Sequence, residues 1–422
     1  MKVKLQQIIV NIFYLYSVQG LNLILPILIL PYLIKTLSIE SFGIYSFAFA
    51  FSQFVVLFVD FGFNISATKK IAENTDRDDI VKATFWHIIF IKFILTLISL
   101  VLVGIFIVFS QKTAVYSTSI LYAYIMVIGT AIFPIWWFQG MNKMRELSII
   151  SAISKLASYP LIFVFVKDSN DYNSAIVIQS LSYLLAGVFS FGYLYKYYND
   201  YFVDFKVSTN IETYKHEIKE SFPIFLSNSS ISLYTNSLTI LLGIFSTQYN
   251  VGLFSALERI VRMICFGLLA PINQVVFPVI ANLKKNNFFQ ARKLFLGTLL
   301  VTLLIMITVY IIFLVFNTEI TGYLFNEYHD IGNLLIIFML MIFPISLGGV
   351  MGQLGLLALG GEKEKNIFSK IYISVGILSL PFTVYLIYFY NLNGAVISMM
   401  TVEMVIFLLF LMLISKSVIK KI

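Results

Sequence analysis

The chain is 422 residues long, 59% hydrophobic and only 12% charged, with a formal net charge of +8. An ordinary soluble domain carries roughly a quarter of its residues as charges, so a soluble protein is excluded. The positives follow membrane topology rather than a nucleic-acid surface, and long apolar runs recur from end to end. The chain therefore reads as an all-α polytopic membrane protein. No alternating polarity of the kind a β-barrel needs is present.

About twelve spans are expected from apolar runs of membrane-crossing length. The first, Ile12–Ile34, follows a short basic start. It is too long for a signal-peptide core and ends in no small-residue cleavage site, so it reads as a span. Next come Phe42–Phe63, Ala83–Phe109, Ser119–Phe138, Leu147–Val166 and Ser174–Tyr195. A polar stretch over 201–220 separates them from Ser221–Phe245, Val251–Ala281, Ala291–Phe316, Ile331–Leu359, Phe368–Tyr390 and Gly394–Ile414. With both termini inside, twenty-two Lys and Arg fall in inner segments and three (Lys35, Lys112, Lys167) in outer loops. That asymmetry fixes the expected orientation, with both termini cytoplasmic. Four cations remain, well inside spans rather than at their inner ends: Lys92, Lys155, Arg259 and Arg262.

The two halves echo each other. "FGIYSFA" from Phe42 parallels "VGLFSAL" from Val251, and "IFPI" occurs at both Ile132 and Ile342. Gly140 and Gly361 each follow a span, and "NSA" from Asn173 matches "NGA" from Asn393. The offset lengthens across the tenth span, "GGVMGQLGLLALGG". An even number of spans per half makes the repeats parallel. The expected architecture is two parallel six-helix lobes, 1–200 and 221–422, around a central cavity, joined by a cytoplasmic linker over 201–220. Rocking of one lobe against the other would give alternating access.

Three stretches carry a family resemblance: "ESFGIYSFAFAFSQFVVLFVDFGFNISATKKIA", "FPIWWFQGMNKM" and "NVGLFSALERIVRMICFGLLAPINQVVFPVIANL". In order and spacing they resemble the polysaccharide and O-antigen flippases (Wzx type) of the multidrug/oligosaccharidyl-lipid/polysaccharide exporter superfamily. The resemblance implies flipping of an undecaprenyl-diphosphate-linked oligosaccharide, an O-antigen or capsule repeat unit, from the inner to the outer leaflet of a bacterial inner membrane. It also implies ion-gradient coupling, contact with membrane lipids, and a glycan polymerase and chain-length regulator as pathway partners. A drug or small-solute exporter of the same superfamily is the alternative reading. A membrane-embedded glycan polymerase or acyltransferase is a third, disfavoured by the short outer loops and the missing His/Asp cluster. No phosphate-cradling glycine loop ending in Lys-Ser/Thr and no Cys/His cluster occurs, so neither an enzyme nor a cofactor or metal is expected.

At 1.5 Å per residue, Arg259 and Arg262 lie about 13 to 18 Å into the eighth span. A centrally placed arginine is costly there, so its side chain should face protein or water. Spaced three apart, the two share a face and can grip phosphate oxygens bidentately, as a lipid diphosphate requires. The competing reading is a salt-bridge network: Glu258 with Arg262 at i, i+4, and Arg259 with Glu403. Lys92 and Lys155 are candidates for guiding an anionic headgroup, against snorkelling to the inner interface. Glu403, Glu258 and Asp60 are the ion-coupling candidates, with Asp60 also readable as a helix-end residue. Trp86, Trp136 and Trp137 fall near inner span ends and are expected in an interfacial belt. Cys265 excludes an internal disulfide.

Overall fold

A computed structural model describes residues 25, 28–203, 211–325 and 331–416. Most of the first predicted span, the middle of the linker with Lys206, and the last lysines lie outside the described residues. Within them the chain is helical and holds no strand. Eight described helical stretches are long and apolar enough to cross a membrane: Ile39–Ala72, Asp78–Phe109, Thr113–Gly140, Met144–Phe165, Ser169–Tyr197, Phe288–Val315, Ile331–Leu359 and Lys363–Ile414. The last covers two predicted spans, folded at Asn391, whose backbone takes φ 48 and ψ −123. The seventh and eighth predicted spans are helical as well, over Ile211–Thr235 with Ser237–Phe245 and over Gln248–Asn286. The chain divides into two compact units between Ser229 and Ser230.

In the first unit, residues 28–36 form α1. Ser38 caps α2 (Ile39–Asp60) by accepting from the Ser41 amide at 3.2 Å. This satisfies one of the amides that a helix start leaves without a partner. α2 stops where Phe61 and Gly62 both take positive φ, 47 and 82. The chain then resumes as α3 (Phe63–Ala72). Gly62 is required twice over, because a Cβ there would lie 2.9 Å from the Ser221 carbonyl oxygen and the backbone is left-handed.

The third span is α4 (Asp78–Phe109). The fourth breaks at Pro134 into α5 (Ser117–Ile132) and α6 (Ile135–Gly140). α7 (Met144–Ser158) and α8 (Pro160–Phe165) follow, then α9 (Tyr172–Tyr197) and α10 (Asp200–Val203). α5 and α9 cross at glycine. A Cβ on Gly129 would lie 2.4 Å from the Leu184 backbone nitrogen, and one on Gly187 would lie 2.4 Å from Ile132 Cγ1. Small residues at such a crossing let two backbones approach, which favours the van der Waals packing that helps helices associate in lipid.

Phe93, Leu97, Val101 and Val108 along α4 are exposed and form the kind of apolar face that lipid covers. Trp136 and Trp137 do not belong to such a face. Both are fully buried, packed with Phe85, Ile88 and Tyr201 in one core cluster. The Pro134 break turns this pair inward, and Trp137 Nε1 donates to the Tyr201 hydroxyl at 3.3 Å. Trp86, partly buried against the same cluster, donates to the Tyr201 carbonyl at 2.7 Å.

The second unit begins in α11 (Ile211–Thr235) and continues through α12 (Ser237–Phe245) and α13 (Gln248–Asn286). α14 (Phe288–Val315), α15 (Asn317–Phe325), α16 (Ile331–Met339) and α17 (Ile342–Val350) come next. Met351–Leu359 is a π-helix, closed by the Gly360 amide donating to the Gly355 carbonyl at 2.9 Å. It lies in the tenth span, where the offset between the sequence repeats changes. π-turns are rare and concentrate at functional sites. α18 (Glu362–Ile414) completes the unit.

Candidate functional site

Each unit holds a buried charge cluster. In the first, Lys92 on α4 is 2% exposed and its Nζ lies 3.0 Å from Asp60 Oδ1. Asp60 is the last residue of α2, where the helix dipole disfavours a carboxylate. A buried ammonium offsets that penalty, and the carboxylate in turn neutralises a charge that could not stay buried alone. The sequence separates these two residues into different roles, whereas the structure makes them one ion pair. Lys155 on α7 is half-buried and has no ion pair among the described residues.

A second buried pair in this unit went unread in the sequence. Glu217 on α11 is 3% exposed and takes a charge-assisted hydrogen bond from Lys70 on α3. Lys70 counts there as one of several inner-loop cations, and 147 residues separate it from its partner. No periodicity joins positions so far apart.

In the second unit the cluster centres on Arg262. Its Nε donates to Glu258 Oε1 at 2.8 Å, one helical turn earlier on α13. Its Nη2 lies 3.7 Å from Glu403 Oε1 on α18. Glu258 and Glu403 are each 8% exposed. One guanidinium thus sits between two carboxylates. The competing sequence reading pairs Glu403 with Arg259; in the fold Glu403 lies 3.7 Å from Arg262. Arg259, three residues earlier on the same helix, is half-buried.

The two contacts on Arg262 differ in kind. The Glu258 bond has normal hydrogen-bond length, whereas the Glu403 contact is a longer Coulombic one. A guanidinium carries five N–H donors in a planar fork, so one edge can hold Glu258 while another takes a second acceptor. An incoming oxyanion would compete with Glu403 first. Protonating Glu403 would remove that competitor.

Residues 8–284 match the family described as "Polysaccharide biosynthesis protein". The chain is also 33% identical over 408 residues to a "Putative O-antigen transporter" of Escherichia coli (strain K12), covering 95% of each. It is 31% identical over 405 residues to a protein of the same description from Shigella dysenteriae, covering 95% of this chain and 98% of that one.

The chain belongs to the polysaccharide biosynthesis protein family.

Among solved structures, this family member is similar to "Lipid II flippase MurJ, inward closed conformation". The TM-score is 0.66 at 15% identity, over 97% of this chain and 88% of that one. It is also similar to an outward-facing multidrug resistance MATE family transporter of the MOP superfamily. There the TM-score is 0.52 at 19% identity, over 96% and 94%. At such identities the likeness establishes a shared fold. With its long apolar helices, this makes the family member a multi-pass membrane protein.

Proposed function

We propose that this protein flips a lipid-linked oligosaccharide, carried on undecaprenyl diphosphate, from the inner to the outer leaflet of a bacterial cytoplasmic membrane. The names of the two curated relatives and the fold shared with a lipid II flippase support this reading. The observation that carries it is Arg262, held in mid-helix between Glu258 and Glu403. A guanidinium with one firm and one displaceable carboxylate is a site for an anion that arrives and leaves.

Arg262 and Arg259 take the diphosphate in this reading. Lys155 guides the headgroup, and Lys92 joins it only on releasing Asp60. Glu403 couples transport to an ion gradient: a proton on its carboxyl frees Arg262 for phosphate, and loss of that proton returns Arg262 to the carboxylate. Glu258 holds the guanidinium in place throughout. Alternating access exposes the site to either leaflet, with both termini cytoplasmic, and the pathway's polymerase and chain-length regulator act downstream.

The test is surface glycan display in a host whose own flippase is deleted. Arg262→Ala and Arg259→Ala are each expected to abolish display at normal protein level. Full display with both variants would remove the diphosphate role.

A further inference from the structure

A groove of about 430 Å³ lies in the second unit between α13, α17 and the π-helix. Phe266, Asn273 and Phe277 of α13 line one wall, and Gly349 and Gln353 line the other. Resting on the flippase reading, we infer that this groove is a subsite for the neutral sugar rings of the lipid-linked glycan, aligned with the diphosphate site at Arg262.

Four features carry the inference. First, the groove continues the face of α13 that bears the charges. Glu258, Arg262, Phe266, Asn273 and Phe277 are spaced by four, four, seven and four residues, which at 3.6 residues per turn is one stripe. Second, Asn273 is 9% exposed and lines the groove, and its Oδ1 is buried with no hydrogen-bond partner among the described residues. A buried amide oxygen left without a donor is costly, and a sugar hydroxyl would supply that donor. Third, the lining residues carry no charge. The two amides of Asn273 and Gln353 offer donors and acceptors to hydroxyls, while Phe266 and Phe277 offer flat apolar surface to the C–H faces of pyranose rings. This chemistry suits an uncharged polyol and not a second phosphate. Fourth, Gln353 belongs to the π-helix, so the irregular turn places a polar side chain on the groove.

The reach sets the size of the ligand. Arg262 and Asn273 are eleven residues apart, about 16 Å along the helix axis. With the diphosphate at Arg262, Asn273 lies beyond the first sugar. The subsite therefore reads an oligosaccharide.

The experiment measures binding of two probes to the protein in lipid nanodiscs: undecaprenyl diphosphate alone, and the same lipid bearing a neutral trisaccharide. The wild type is expected to prefer the trisaccharide lipid. Asn273→Leu and Gln353→Leu should each cut that preference by about tenfold, the scale of one lost hydrogen bond. Asn273→Ser, which restores a small polar group, should recover part of it. Gln353 is exposed, so its variant keeps the test valid if Asn273→Leu fails to fold. A wild type that binds both probes equally overturns the subsite and leaves the diphosphate reading standing. Unchanged preference in the folded variants also overturns it. A wild type that binds neither probe overturns the flippase reading, and the subsite with it.

Discussion

Replacing Asp60 with Asn would leave the Lys92 ammonium, 2% exposed, without its carboxylate at 3.0 Å. Breaking one partner from a buried pair costs about 3–5 kcal/mol. The low end applies here, since the Asp60 side chain is 16% exposed and water can answer part of the loss. Lys92→Met is the milder change. It leaves a partly hydrated carboxylate at the end of α2, at a cost of about 1–2 kcal/mol. The double variant Asp60→Asn/Lys92→Met carries no stranded charge and should lie within about 1 kcal/mol of the wild type. The sum of the single effects would far exceed that of the double, and a double-mutant cycle reads the excess as coupling. The assay is equilibrium unfolding of the purified protein in detergent, followed by tryptophan fluorescence. Additive single effects, or an Asp60→Asn variant as stable as the wild type, would refute the account of a mutually neutralising pair.

Two other outcomes are expected from the geometry. Glu403→Gln keeps the shape but removes the titratable carboxylate facing Arg262, so glycan export should lose its dependence on the proton gradient; everted-vesicle transport with and without an uncoupler reads this, and unchanged dependence removes Glu403 from coupling. Gly129→Leu places a side chain where even a Cβ meets the Leu184 backbone at 2.4 Å, so it should destabilise by more than the ~1–3 kcal/mol of ordinary overpacking, whereas Gly192→Ala, with nothing within 4 Å, should be tolerated in the same unfolding measurement.

The residues differ in how far the sequence reveals their roles, and the reasons are physical. Glu258 with Arg262 could be read directly, because i, i+4 neighbours on a helix meet whatever the tertiary fold. Glu403 could be placed near the arginines by counting depth, but depth alone does not choose between two cations three residues apart. Asp60 with Lys92 could not be read. Asp60 looks like a residue near the inner end of its span only if the span ends with α2. In the structure the chain breaks at Phe61–Gly62 and runs on as α3 to Ala72, so twelve more residues lie beyond Asp60. Asp60 thus lies well before the end of that helical stretch, and its carboxylate meets Lys92 at 3.0 Å. A left-handed Phe61 leaves no sequence signal, since phenylalanine seldom adopts that region. Trp136 and Trp137 mislead for a related reason: an interfacial preference is statistical, and the turn at Pro134 overrides it. The helices themselves were readable from apolarity, because lipid leaves the backbone no other way to satisfy its hydrogen bonds.

The π-helix has a mechanical consequence. Exchanging its i→i+5 bonds for i→i+4 bonds tightens each turn, and shifting the register by one residue rotates the next part of the helix by about 100° about the axis. Such a twist would swing Gln353 away from α13 without unfolding the span. Its resistance is steric. Gly352 has room for no more than a hydrogen against Phe368, and Gly355 is similarly confined by Ile414 and Phe295. A return to α-helical bonding would therefore have to displace the Phe368 ring at Gly352 and the Ile414 and Phe295 side chains at Gly355.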